Sequence, residues 1–142
     1  MVERVMILLI VIVAAIGLWQ LWRYYQGKQL LQLASANVPD TLAGRLPPGP
    51  TVLYFTGAHC AQCRLQQTPI LTQLVHAVKI NLHTVDAVEE ESIARFYGVM
   101  TLPTTVLLDR SHTPKVINHG LASLPQLRQQ VTELLPEMQP SS

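Results

Sequence analysis

The sequence predicts an α/β domain, a mixed central sheet flanked by helices, preceded by an N-terminal transmembrane helix. Three observations carry this expectation. An apolar run without any ionisable group spans Val5 to Trp22. Beyond Thr51, short β-branched segments alternate with segments whose apolar residues recur at helical spacing. Their order is strand–helix–strand–helix–strand–strand–helix, which gives a mixed sheet with helices on both faces, and right-handed topology wherever a helix joins parallel strands. At 142 residues the chain has room for one compact domain and an accessory segment. We divide it into an anchor with its flanks (1–28), a spacer (29–50), the domain (51–136) and a polar tail (137–142).

The eighteen residues Val5–Trp22 rise about 27 Å as a helix, against a hydrocarbon core roughly 30 Å thick. Trp19, Trp22, Tyr24 and Tyr25 follow where aromatic rings settle at a membrane boundary. A cleavable signal peptide is the competing reading. Its best small-residue site, Ala34-Ser35-Ala36, lies well beyond the apolar run, whereas cleavage normally follows closely; an uncleaved single-pass anchor is preferred. Arg4 and the terminal amine flank one end, Arg23 and Lys28 the other. The charge count slightly favours a cytoplasmic domain.

After the anchor helix, Pro39, Gly44, Pro47, Pro48, Gly49 and Pro50 break up the spacer, with room for one short helix between Pro39 and Leu46. Thr51–Thr56 reads as a buried strand. A helix then starts beside the cysteines and runs through Leu65, Ile70, Leu71, Leu74 and Val78, with a kink or interruption at Pro69. Ile80–Asp86 alternates as a strand, and Glu89–Tyr97 is helical with Ile93, Phe96 and Tyr97 as its apolar face. Thr104–Asp109 and Lys115–His119 form a hairpin. Ser123 and Gln126 have capping-box spacing, and Leu124, Leu127, Val131, Leu134 and Leu135 continue a helix that Pro136 ends.

Ten Lys and Arg against nine Asp and Glu leave a net charge of +1 with no basic stripe, so a nucleic-acid surface is set aside. The only two cysteines, Cys60 and Cys63, stand three positions apart. A bridge of that spacing closes too small a loop to hold a domain together, so a local chemical role fits better. Cys60-Ala61-Gln62-Cys63 falls between a predicted strand and a predicted helix. Unpaired amides at a helix start carry partial positive charge and stabilise a thiolate there. The first cysteine would then be the exposed nucleophile, and the second, one turn on, could attack the mixed disulfide. Other readings are two inert core cysteines or half of a zinc site. For zinc, none of His59, His76, His83, His112 and His119 supplies a second closely spaced pair. Covalent haem would need a histidine where Arg64 stands.

These residues resemble the thioredoxin family over Thr51–Leu135, about 85 of 142 residues. The matching features are the strand TVLYFT, the CAQC pair at a helix start and Pro69 within that helix. They continue with Val85-Asp86 closing a strand, Tyr97-Gly98-Val99 leading to Thr101-Leu102-Pro103-Thr104, and Gly120 after the last strand. The resemblance implies that Pro103 is cis and faces the cysteines, and that Leu102 lends backbone groups to an extended substrate. It implies thiol–disulfide exchange with protein partners, no organic cofactor and no metal. By likeness to anchored members it implies a domain outside the cytoplasmic membrane of a bacterium. There the protein would reduce disulfides in cytochrome maturation or maintain other exported thiols.

The chain departs from the family pattern at several positions. His59 replaces the tryptophan before the first cysteine, and Thr56 another upstream. Tyr54 stands where reductases bury an aspartate, Leu82 near its usual lysine partner, and Pro69 comes one residue late. The family's first strand and helix are not evident. These departures lend support to the alternative of a non-catalytic binding or assembly module using the groove beside Pro103. His59 has two readings: an imidazolium that favours the Cys60 thiolate, or a plain rim residue. Glu89-Glu90-Glu91 complements a helix start, the remaining histidines read as scaffold or surface, and Met100 and Phe96 as core or rim.

Overall fold

The computed structural model describes residues 1–35 and 38–134. The chain divides into two units, Met1–Gln32 and Leu33–Ser142. The first is a helix, α1 (Val2–Ser35), which continues past the expected anchor. Its stretch Val2–Lys28 is long and apolar enough to cross a membrane, and its most apolar 18 residues bury none of their surface against protein. Arg23 stacks over the Trp19 ring and Lys28 over the Tyr24 ring, at 5.0 and 4.6 Å from the ring centres.

The second unit is built on four strands in the order β2-β1-β3-β4: β1 Thr51–Thr56, β2 Asn81–Asp86, β3 Thr104–Leu108 and β4 Pro114–His119. β1 pairs parallel with β2 and antiparallel with β3, and β4 is antiparallel to β3. The sheet divides its side chains with the strand period of two. Leu53, Phe55, Val106 and Leu108 face one core; Val52, Tyr54 and Leu107 face the other. The first core is closed by α4 (Glu91–Phe96) through Ile93 and Ala94, with Tyr97 beside it. The second is closed by α3 (Thr68–Ala77) through Leu71 and Leu74, and by α5 (Leu124–Leu134) through Leu127 and Val131. Helices therefore cover both faces, because both faces of a central strand such as β1 are apolar.

The segment expected as a spacer holds a short helix, α2 (Asp40–Ala43), and its Leu42 and Leu46 are buried in the first core. Residues 135 and 136, at the end of the predicted last helix, and the polar tail lie outside the described residues. Just before α5, Ser123 accepts the Gln126 amide on its hydroxyl oxygen at 3.4 Å, but only this half of the expected capping box forms, since the Gln126 side chain donates to Asn118 Oδ1 at 3.1 Å.

The cysteine helix departs most from expectation. Helical backbone begins at Ala61, but Cys63–Gln67 winds as a π turn before α3 starts at Thr68. The Thr68 amide reaches back five residues to the Cys63 carbonyl. One residue more than the usual spacing before Pro69 would rotate everything beyond it by about 100° in an α-helix. The π turn absorbs that residue. Cys63, Gln67, Leu71 and Leu74 all stay core-facing and fully buried. Leu65, expected on the apolar face, is instead turned out to solvent. Pro69, without an amide to donate, takes its place in the first turn of α3, directly after the π turn that interrupts the helix.

Candidate active site

β1 brings the chain to a tight turn at the edge of the core. The Cys60 amide donates to the Gly57 carbonyl at 3.1 Å, closing Gly57–Cys60. Gly57 has a steric reason: a Cβ there would lie 3.0 Å from Leu102 Cδ1. The turn and the Leu102 loop thus approach closely because one of them has no side chain. The helix begins at the next residue, and the Cys63 amide points at Cys60 Sγ, 3.2 Å away. Cys60 and Cys63 are joined as a disulfide with their Cα atoms 5.3 Å apart. Cys60 is half-buried, while Cys63 is sealed in the core beside Tyr54 and Leu71. A helix-start amide aimed at sulfur is the interaction that stabilises a thiolate once the bridge opens.

The loop before β3 packs on the same cluster through Leu102. The Leu102–Pro103 peptide is cis. Pro103 is buried and its carbonyl accepts the Gly120 amide at 2.9 Å; Thr104 Oγ1 donates to the Thr101 carbonyl at 2.7 Å. Gly120 occupies left-handed backbone at φ +86°, which favours glycine. Half-buried Leu102 packs against both cores, including the one that holds Cys63. Beside it opens a groove of about 520 Å³ lined by Ala87, Ala94 and Val99 together with Glu91, Arg95 and Met100. Met100 is almost fully exposed, so it is a rim residue.

Of the residues singled out in the sequence, Cys60, Cys63 and Leu102 pack around one core cluster, and Pro103 follows Leu102 directly. His59 lies exposed on the turn, with no hydrogen bond or ion pair to another described residue. Tyr54 and Leu82, at the positions of the family's aspartate and lysine, line a separate cleft of about 270 Å³ with Arg64 and Thr68. The Tyr54 hydroxyl donates to the Cys63 carbonyl at 3.1 Å and lies 3.1 Å from Thr68 Oγ1. It therefore secures the backbone of the second cysteine. Sequence reasoning missed this contact and a second one made by Gln67. The Gln67 carboxamide donates to the Ala122 carbonyl at 3.2 Å and accepts the Ala122 amide at 2.9 Å. The late Pro69 was the one available signal that this helix is locally rewound.

Away from the disulfide, burial pushes the His83 pKa below its ordinary value, with Arg45 adding to the effect. Among the described residues no three His, Cys, Asp or Glu side chains gather as metal ligands.

The sequence profile of the Thioredoxin family matches residues 31–133. No curated protein sequence matches the chain. Several solved structures do. A malarial protein is 30% identical with a TM-score of 0.54, the match covering 60% of this chain and 96% of that one. Thioredoxin-2 of the malaria parasite, a component of its protein secretion machinery, is 29% identical at TM-score 0.54, covering 62% and 85%. The oxidised form of mitochondrial thioredoxin 3 from Saccharomyces cerevisiae is 25% identical at 0.54, covering 61% and 79%. A family profile spanning well over half the chain, together with a cysteine pair bridged at a helix start, makes this protein a member of the thioredoxin family and a thiol–disulfide oxidoreductase.

Proposed function

We propose that the protein is a membrane-tethered thiol–disulfide exchange enzyme whose domain works on the extracytoplasmic side. Cys60 is its nucleophile, Cys63 its resolving cysteine, and Leu102 with Pro103 positions the partner. The unequal exposure of the two sulfurs carries the assignment of roles. Only the half-buried Cys60 is open to a second protein, and the helix-start amide favours its thiolate.

In the reducing direction the Cys60 thiolate attacks one sulfur of a partner disulfide. A Cys60–partner bond forms, the partner's own bond breaks, and its other sulfur leaves as a thiolate. Cys63, deprotonated in turn, attacks Cys60 Sγ, so the intramolecular bridge reforms and the first partner sulfur departs. Two electrons pass to the partner, its two thiolates take up two protons, and the enzyme dithiol gives up two. The oxidising direction is the same sequence reversed. During the mixed-disulfide stage the partner chain lies extended against the backbone of Leu102, with the neighbouring groove available to a flanking side chain. His59, exposed beside Cys60, would favour its thiolate when protonated.

Cys63→Ser tests the roles. Removing the resolving sulfur should leave Cys60 trapped in mixed disulfides, seen as dithiothreitol-sensitive higher-mass bands on non-reducing gels of cells expressing the full chain. Cys60→Ser should accumulate few or none. Equal trapping by both variants, or none by either, would overturn the assignment.

A further inference from the structure

A fully buried glutamine inside the helix that carries the cysteines has no role in the exchange steps above. Gln67 closes the π turn, and its carboxamide makes two opposed hydrogen bonds with the backbone of one residue, Ala122. That pairing copies one rung of a β-ladder. Two residues before Ala122, Gly120 donates its amide to the Pro103 carbonyl. A short hydrogen-bonded path therefore runs from the cysteine helix, through Gln67 and the Gly120–Ala122 loop, to the backbone of Pro103, next to Leu102, which packs on the cluster that holds Cys63 and touches Cys60. The helix end of the path is fixed as well, since the Cys63 carbonyl accepts both the Thr68 amide and the Tyr54 hydroxyl.

We propose that Gln67 is a positioning residue, holding the Pro103–Gly120 wall in register with Cys60 so that an extended polypeptide can be attacked in line. This inference rests on the exchange activity and adds a determinant of its selectivity for peptide disulfides over small ones. A small disulfide needs only the sulfur of Cys60. A polypeptide must also lie against the Leu102 backbone, so its reaction is sensitive to how the two walls are spaced. Misplacement of about 1 Å at such a site can reduce a rate by roughly a hundredfold. Gln67 needs both a donor and an acceptor to do this, because Ala122 offers one of each.

The test uses the reduced full chain in detergent and two probes that release the same thiol. One is 5,5′-dithiobis(2-nitrobenzoate). The other is a ten-residue peptide whose single cysteine is capped as the mixed disulfide with 5-thio-2-nitrobenzoate. In each, the Cys60 thiolate forms a new disulfide and thionitrobenzoate leaves, read by its absorbance. Gln67→Met keeps the shape and loses both hydrogen bonds. It should slow the peptide reaction about tenfold or more, and the small-probe reaction by less than about twofold.

Gln67→Glu supplies a second reading within one folded preparation. A protonated carboxyl can donate and accept like the amide, whereas a carboxylate can only accept. Peptide rates relative to wild type at each pH should recover as the pH falls through the pKa of the introduced buried acid, which desolvation raises. Peptide selectivity unchanged in Gln67→Met, or a Gln67→Glu ratio that does not vary with pH, would overturn the positioning role. A wild-type chain inert toward both probes would instead sink the exchange reading on which it rests.

Discussion

Two tyrosines in the core make opposite use of the same hydroxyl. Tyr54 donates its proton to the Cys63 carbonyl, so its burial is matched by a hydrogen bond. Tyr97, only 1% exposed and packed on Phe55 and Phe96, has a buried hydroxyl without a partner among the described residues. Burial pushes its pKa up to about 12. A buried polar atom left unmatched is a net loss, while a matched one contributes about 1 kcal/mol. Tyr97→Phe should therefore be neutral or stabilising by up to about 1 kcal/mol, and Tyr54→Phe destabilising by about 1 kcal/mol, in urea unfolding at neutral pH. The pH dependence has a definite sign. The folded state holds the Tyr97 proton more tightly than the unfolded chain, whose value is near 10. That contribution is complete below pH 10 and is lost as the pH rises toward 12. Tyr97→Phe should flatten this alkaline decline, and a decline as steep as wild type would show that another group causes it.

At the scale of elements, the loop between β2 and α4 shows what pattern reading captures and what it misses. The acidic run Glu89–Glu91 suggests charges gathered at a helix start. Glu90 does stand at the N-cap and Glu91 in the first turn of α4, while the amides of the turn before it are taken by Asp86, whose Oδ1 accepts from Val88 and Glu89 at 2.9 and 3.0 Å. Glu90 pairs with Arg45 and Glu91 with Arg95. The reason is reach: a short carboxylate ending a strand can fold back on the next two or three amides, and a glutamate inside the turn cannot. Asp86→Ala should lower stability by about 1 kcal/mol, the scale of the side-chain hydrogen bonds it removes from the turn. Removing Glu89 should change it by less than about 0.5 kcal/mol. Thermal unfolding of the two variants separates these outcomes, and equal losses would show that Asp86 does not hold the turn. The strands themselves were legible because β1 and β3 are β-branched runs buried on both faces, which only a central strand tolerates. The cysteine pair was legible from its place between strand and helix. The π turn was not, since an extra residue leaves the apolar spacing of Leu71 and Leu74 intact and shows only as a late proline. The Gln67–Ala122 contact was further out of reach: it joins residues 55 apart in sequence, and no local period encodes it.

At the scale of the whole molecule, a bare apolar helix and a redox domain share one chain, and the compartment of the domain decides which partners it can meet. Two physical arguments bear on orientation and oppose each other. Arg23 and Lys28 follow the apolar run while Arg4 alone precedes it, and the positive-inside tendency would keep the more cationic end in the cytoplasm. The difference is one residue, and both downstream cations are stacked on aromatic rings of the kind that settle at either membrane surface. Against this stands the redox environment. A bridged, partly exposed pair would be held reduced by the cytosolic thiol pool, whereas outside it a tethered dithiol has disulfides to exchange with. We therefore expect an extracytoplasmic domain. In intact cells expressing Cys63→Ser, a membrane-impermeant maleimide applied after brief mild reduction should label Cys60 as fully as it does after the cells are opened. Labelling that appears only in opened cells would place the domain in the cytoplasm. The exchange chemistry would survive that result, but the partners would then have to be cytosolic proteins.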